Sequence, residues 1–101
     1  MNKEINISIV IPTNGRVNLV ERLLTSLQPE KNEYPYGKIE IIVVNSGKDD
    51  DSTKIKALCN EYDANFYQGE NSVRKKRNLG IKKAKHEVVL FLDSEIGRAH
   101  V

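Results

Sequence analysis

The chain has 101 residues, enough for one small domain or part of a larger one, and at this size only about 60–65% of the unfolded surface is buried on folding. Lysine and arginine total 16 against 14 aspartates and glutamates, a net charge of +2 that is too balanced to mark a nucleic-acid-binding protein by itself. The single cysteine, Cys59, excludes a disulfide framework, and no apolar run approaches the ~20 residues that span a bilayer.

Ile5-Asn6-Ile7-Ser8-Ile9-Val10-Ile11 is rich in β-branched residues. It begins with alternation and finishes as a continuous apolar run, which predicts a central strand covered on both faces. Pro12 is expected to end its pairing. Thr13-Asn14-Gly15 reads as a turn that caps a helix. Leu19, Val20, Leu23, Leu24 and Leu27 recur at helical spacing, and Pro29 is expected to close that helix. The stretch from Glu30 to Lys38, with Pro35 and Gly37, reads as a surface loop.

Ile39 to Val44 predicts a second buried strand running into the polar turn Asn45-Ser46-Gly47. Asp49, Asp50 and Asp51 place negative charge at a helix start, where it suits the N-terminal dipole, and read as solvated rather than metal-binding. Ile55, Leu58, Cys59 and Tyr62 predict the inner stripe of that helix, so Cys59 reads as a buried structural thiol. Asn65-Phe66-Tyr67 predicts a short third strand. Gln68 to Ser72 is a loop, with Asn71 or Ser72 capping a third helix. That helix, from Val73 to about Lys85, is expected to turn Val73, Arg77, Gly80, Ile81 and Ala84 toward one face. Val88 to Asp93 predicts a fourth strand, an apolar run that stops on a carboxylate.

Strands alternating with helices predict an α/β fold, a three-layer α/β/α arrangement with a parallel sheet and right-handed crossovers. Ligands of such sheets bind beyond the carboxyl ends of the strands, where Thr13-Asn14, Asn45-Ser46 and Asp93 would converge. Gly15 stands alone after the first strand. Neither the dinucleotide fingerprint nor a P-loop is present, which argues against hydride transfer and P-loop phosphoryl transfer.

The last seven residues, Glu95-Ile96-Gly97-Arg98-Ala99-His100-Val101, break the pattern with no apolar period and no turn chemistry. They are also the translation of a common sequencing-adapter read, GAG ATC GGA AGA GCA CAC GTC, whose next codon is TGA, a stop. The expectation is that residues 1–94 carry the natural sequence and residues 95–101 form a foreign, adapter-derived tail, excluded from fold reasoning. Only the leading G of codon 95 would then be native, compatible with Asp, Glu, Gly, Ala or Val at that position.

Four segments, taken in order, carry a resemblance: Ile9-Val10-Ile11-Pro12-Thr13-Asn14-Gly15-Arg16, Ile41-Ile42-Val43-Val44-Asn45-Ser46-Gly47, Arg77-Asn78-Leu79-Gly80-Ile81 and Phe91-Leu92-Asp93-Ser94. Together they resemble family 2 glycosyltransferases, nucleotide-diphospho-sugar transferases of the GT-A fold, over residues 5–94. The resemblance implies the N-terminal, nucleotide-sugar-binding half of such a domain. Its parent enzyme would move a sugar from a nucleoside-diphosphate donor, a UDP-sugar above all, to an acceptor hydroxyl, with inversion. Pro12 and Thr13 would line the uridine pocket. Asn45 stands where an Asp commonly accepts the uracil imide hydrogen, and Arg77 would lie near the nucleotide. Asn78 and Gly80 would shape helix packing, while Ser72 and Lys76 stand where Gly and Ala are common.

Asp93 would open the family's Asp-x-Asp motif and hold a divalent cation, Mn or Mg, against the diphosphate. Carboxylates suit so hard a cation, and the cation offsets charge growing on the leaving group. The second carboxylate is expected at position 95, where the observed Glu95 is credited to the adapter frame. The catalytic base and the acceptor pocket would lie in the C-terminal half, so this chain is expected to be inactive alone.

Two rival functions follow from the residues. A non-catalytic nucleotide- or anion-binding α/β module would take nucleotide without metal. A nucleotidyltransferase would want a glycine- and basic-rich loop after the first strand, of which Thr13-Asn14-Gly15-Arg16 is a poor version. The basic set Arg74, Lys75, Lys76, Lys82, Lys83 and Lys85 wraps around its helix without interleaved aromatics, so it reads as a solvated face and not a nucleic-acid site. Peripheral attraction to an anionic membrane is its other reading. Cysteine usage and the lack of a signal-peptide layout put the expected location in the cytoplasm or at the cytoplasmic face of the membrane.

Overall fold

The computed structural model describes residues 3–92. Strands and helices alternate along it: β1 (Ile7–Thr13), α1 (Val17–Glu33), β2 (Ile39–Asn45), α2 (Asp49–Glu61), β3 (Asn65–Gln68), α3 (Val73–Lys83) and β4 (Val88–Phe91). The strands form one parallel sheet in the order β3-β2-β1-β4, with Ile7 opposite both Ile39 and Val88. Successive side chains on a strand face opposite ways. Ile9, Ile11, Ile41 and Val43 therefore meet Val20 and Leu24 of α1 and Ile55 and Cys59 of α2 on one face. Val10, Ile42 and Val44 meet Leu79 of α3 and Ala84 just beyond it on the other. This is the three-layer α/β arrangement that the alternating pattern predicts, and it explains why β1 and β2 end as unbroken apolar runs.

Pro12 does not end β1. It stays in register with Val44, and Thr13 pairs with Asn45 beyond it. In a parallel strand alternate residues turn their N–H and C=O to alternate neighbours. Ser46 N donates to Thr13 O on the β2 side, whereas Leu92 N donates to Val10 O on the β4 side. The donor that Pro12 lacks falls on the β4 side, so the β1–β2 ladder continues past the ring.

Pro29 does not close α1 either; the helix continues to Glu33. A proline removes a single donor, the N–H that would reach the Thr25 carbonyl. The turn beyond it is anchored from outside, because Lys31 Nζ donates to Asp63 O and to Asp63 Oδ2, each at 2.9 Å.

The inner face of α3 also departs from expectation. Ile81 is 49% exposed, and Lys76, expected on the solvated side, is 1% exposed. The 3.6-residue period puts Lys76 beside Val73 and Gly80, and Gly80 lies directly on Val10, where a Cβ would collide with the valine methyls. Ser72 caps the helix as predicted, its Oγ accepting from Lys75 N at 3.2 Å. The described part of β4 is a bare flank: Val88, Leu90 and Phe91 are all exposed.

At the amino ends of the strands one carboxylate fastens several elements. Glu40 Oε1 accepts from Ser8 Oγ at 2.8 Å and from Lys85 N at 3.0 Å, and Oε2 accepts from Asn65 Nδ2 at 3.1 Å. That joins β1, β2, β3 and the turn before β4.

Candidate functional site

The other rim of the sheet, at the carboxyl ends of β1 and β2, carries the polar residues. Thr13 and Asn45 face each other there, both fully buried. Asn45 works as a hub. Its Oδ1 accepts from Gly15 N at 2.8 Å, its Nδ2 donates to Ser52 Oγ at 2.9 Å, and its main-chain O accepts from Gly69 N at 2.8 Å. Ser52 Oγ in turn donates to Gln68 Oε1 at 3.0 Å. Asn45 thus fixes three segments: its carboxamide holds the loop after β1 and the first turn of α2, and its main-chain carbonyl holds the loop after β3.

The loops after β1 and β2 touch backbone to backbone. Gly15 has φ +68°, the left-handed region that glycine enters without a Cβ penalty, and a Cβ on Gly47 would come within 2.7 Å of Gly15 Cα. Ser46 N donates to Thr13 O at 3.1 Å, and Asn14 Nδ2 reaches Asn71 Oδ1 at 3.5 Å.

Lys76 enters this cluster from beneath. Its Nζ donates to Thr13 O at 2.9 Å and to Ser46 Oγ at 2.8 Å. Gly69 leaves room for the lysine stem: a Cβ there would lie 3.1 Å from Lys76 Cγ and 2.7 Å from Val44 Cγ1. An ammonium taken from water needs such oxygen partners, since burying a bare charge is prohibitive.

Of the residues expected at the site, Pro12, Thr13 and Asn45 are brought together at the carboxyl end of the sheet, all three buried. The rim above them is formed by exposed Asn14 and Asn71 and half-buried Ser46 and Gly47. Thr13 Oγ1 is buried with no hydrogen-bond partner among the described residues. Arg77 turns toward β4, its guanidinium carbon 5.5 Å from the Phe91 ring centroid, a cation–π distance, with its Nε also buried and unpartnered there. Asp93 lies outside the described residues, as do Ser94 and residues 95–101.

Sequence reasoning overlooked Lys76, although its helical spacing from Val73 and Gly80 marked it as inward-facing. Ser46 is expected at the site from its place after β2, but nothing in the sequence marks it as an acceptor for a buried cation.

The groups gathered around Lys76 are an ammonium, hydroxyls, a carboxamide and main-chain carbonyls. The Lys76 ammonium itself donates to a main-chain carbonyl and to a hydroxyl. Among the described residues no cluster of three or more His, Cys, Asp or Glu side chains is placed to hold a metal, and Asp49–Asp51 form none at the head of α2.

Residues 8–95 match the sequence signature of glycosyl transferase family 2. The chain belongs to that family. It is 29% identical over 100 residues to a chondroitin synthase of Pasteurella multocida, covering 95% of this chain and 10% of that protein. It is 30% identical over 92 residues to the poly(ribitol-phosphate) beta-N-acetylglucosaminyltransferase TarS of Staphylococcus aureus, covering 87% of this chain and 16% of TarS. A crystal structure of S. aureus TarS 1–349 superposes with a TM-score of 0.72 at 28% identity, covering 90% of this chain and 28% of that one. The chain therefore spans a small part of the length of these relatives. Its fold is the N-terminal part of the GT-A arrangement found in TarS. The family generally uses a divalent cation together with a nucleotide-sugar donor and an acceptor.

Proposed function

We propose that this chain is the donor-binding part of a family 2 glycosyltransferase that moves a sugar from a nucleoside-diphosphate sugar, a UDP-sugar, to an acceptor hydroxyl. The observation that carries the reading is the cluster of polar residues at the carboxyl ends of β1 and β2. In a chain of this family, Thr13, Asn45, Ser46 and Lys76 tie the loops after β1 and β2 together at the carboxyl end of the sheet. Loop tips at the carboxyl ends of parallel strands are where open α/β sheets bind their ligands, and in this family the ligand is a nucleotide-sugar donor.

In this reading Pro12 and Thr13 form the floor beneath the nucleoside, Asn45 holds the Gly15 loop in place, and Arg77 lies to the β4 side. Asp93 is the proposed carboxylate for Mn or Mg, which when bound offsets charge on the leaving diphosphate. The acceptor oxygen forms a bond to the anomeric carbon as the carbon–oxygen bond to the diphosphate breaks, and a base outside this chain takes the hydroxyl proton. The whole enzyme would work in the cytoplasm or against the cytoplasmic face of the membrane, where the exposed Arg74, Lys75, Lys82 and Lys83 of α3 would meet anionic lipid. Co-sedimentation with anionic vesicles tests that last point, and failure to pellet would remove it.

Titration of the chain with UDP, with and without Mn²⁺, tests the main reading. UDP is expected to bind with the metal and to weaken by about 1.5–3 kcal/mol in Asp93→Ala. Binding that ignores both the metal and Asp93→Ala would instead establish a non-catalytic nucleotide-binding module.

A further inference from the structure

Lys76 is a full positive charge on the inner face of α3, 1% exposed, on the side of the sheet where Val10, Ile42 and Val44 pack with Tyr67, Leu79, Ala84 and Val89. An apolar side chain would fill that layer without the cost of desolvating an ammonium. Two bonds of the ammonium are local. It donates to the last carbonyl of β1, Thr13 O, and to the first side chain after β2, Ser46 Oγ. Thr13 O also accepts from Ser46 N. One lysine thus closes a ring through both loops from below, while Asn45 and Gly15 close a second ring on the opposite face of the sheet.

We infer that Lys76 is a positioning residue: its ammonium, bonded to Thr13 O and Ser46 Oγ, holds the loops after β1 and β2 in the geometry that admits the ligand. It acts through Ser46 and Thr13 and has no catalytic part. The inference rests on the nucleotide reading for the identity of the ligand, but the coupling of the loops is measurable without any ligand.

The test compares the chain with Lys76→Met, Ser46→Ala and the double variant. Without ligand, amide NMR spectra of Lys76→Met are expected to show shifts at Asn14, Gly15, Ser46 and Gly47, while Asn6 and Lys85 at the far rim stay in place. Ser46→Ala should shift the same four amides. With UDP and Mn²⁺, Lys76→Met is expected to bind about tenfold more weakly, with Ser46→Ala adding little on top of it, the non-additivity of two groups that act together.

Unmoved loop amides in Lys76→Met would overturn the inference. So would fully additive losses in the double variant, or parental UDP affinity in Lys76→Met despite shifted loops. If Lys76→Met does not fold, Ser46→Ala alone decides by the same two readouts. If the parent binds no UDP, the nucleotide reading fails for this chain, and the ligand-free spectra decide the loop coupling separately.

Discussion

Asn45 Oδ1 accepts the amide hydrogen of Gly15 at 2.8 Å, so the conformation of the first loop is set by a side chain from the neighbouring strand. Because Asn45 is fully buried, its loss cannot be made good by water. Asn45→Ala is expected to lower stability by about 1–3 kcal/mol in urea unfolding, the cost of orphaning Gly15 N–H and the Ser52 contact. Asn45→Asp keeps an acceptor for Gly15, and Ser52 Oγ can turn its one hydrogen from Gln68 to the new oxygen. It should therefore cost less than the alanine, and the reverse order would contradict this account.

Gly80 sits on Val10 with no space for a methyl group. Alanine is the better helix former by about 1 kcal/mol. The collision with a central strand outweighs that gain, because overpacking a core typically costs about 1–3 kcal/mol. Gly80→Ala should consequently lower the thermal midpoint; an unchanged or raised midpoint would show that α3 is not seated against β1 as described.

Thr13 separates stability from binding. Its Oγ1 has no partner among the described residues, so exchanging the hydroxyl for a methyl group removes a desolvated polar atom and no hydrogen bond. Thr13→Val is expected to leave stability unchanged or to raise it slightly, while weakening UDP binding if that hydroxyl serves the ligand. A marked loss of stability would mean that the hydroxyl is bonded in the folded chain.

Burial pushes the Cys59 thiol up to about 12 from an ordinary 9.0. The folded value lies above the unfolded one, so the unfolded chain loses this proton first. Stability from this group is intact below about pH 9 and falls as pH rises toward about 12. Comparing the pH dependence of unfolding for the parent and Cys59→Ala isolates the effect, and the alanine chain should show the shallower decline across that window.

Val88, Leu90 and Phe91 leave β4 apolar at its exposed flank. Strand edges of this kind pair with other chains. Size-exclusion chromatography should show self-association of the chain, reduced by Leu90→Lys; a stable monomer at high concentration would disprove it.

Period and order were enough to read the fold. Alternating strand and helix segments, with two unbroken apolar runs at β1 and β2, dictate a parallel sheet covered on both faces, and Ser72 announces the start of α3. The prolines misled because their effect depends on partners that a local reading does not see. Pro12 loses a donor on one side while its strand is paired on the other, and Pro29 lies before a turn held by Asp63. Lys76 misled for a related reason. Charge suggests solvent, and only the tertiary placement of Thr13 O and Ser46 Oγ reveals where an ammonium can be buried.

Glu40 fastens the far rim of the sheet by gathering Ser8, Asn65 and Lys85. The strands are thereby moored at the end away from Thr13 and Asn45. Loops at the opposite rim can drift, lengthen or trade side chains without unseating the frame that carries them.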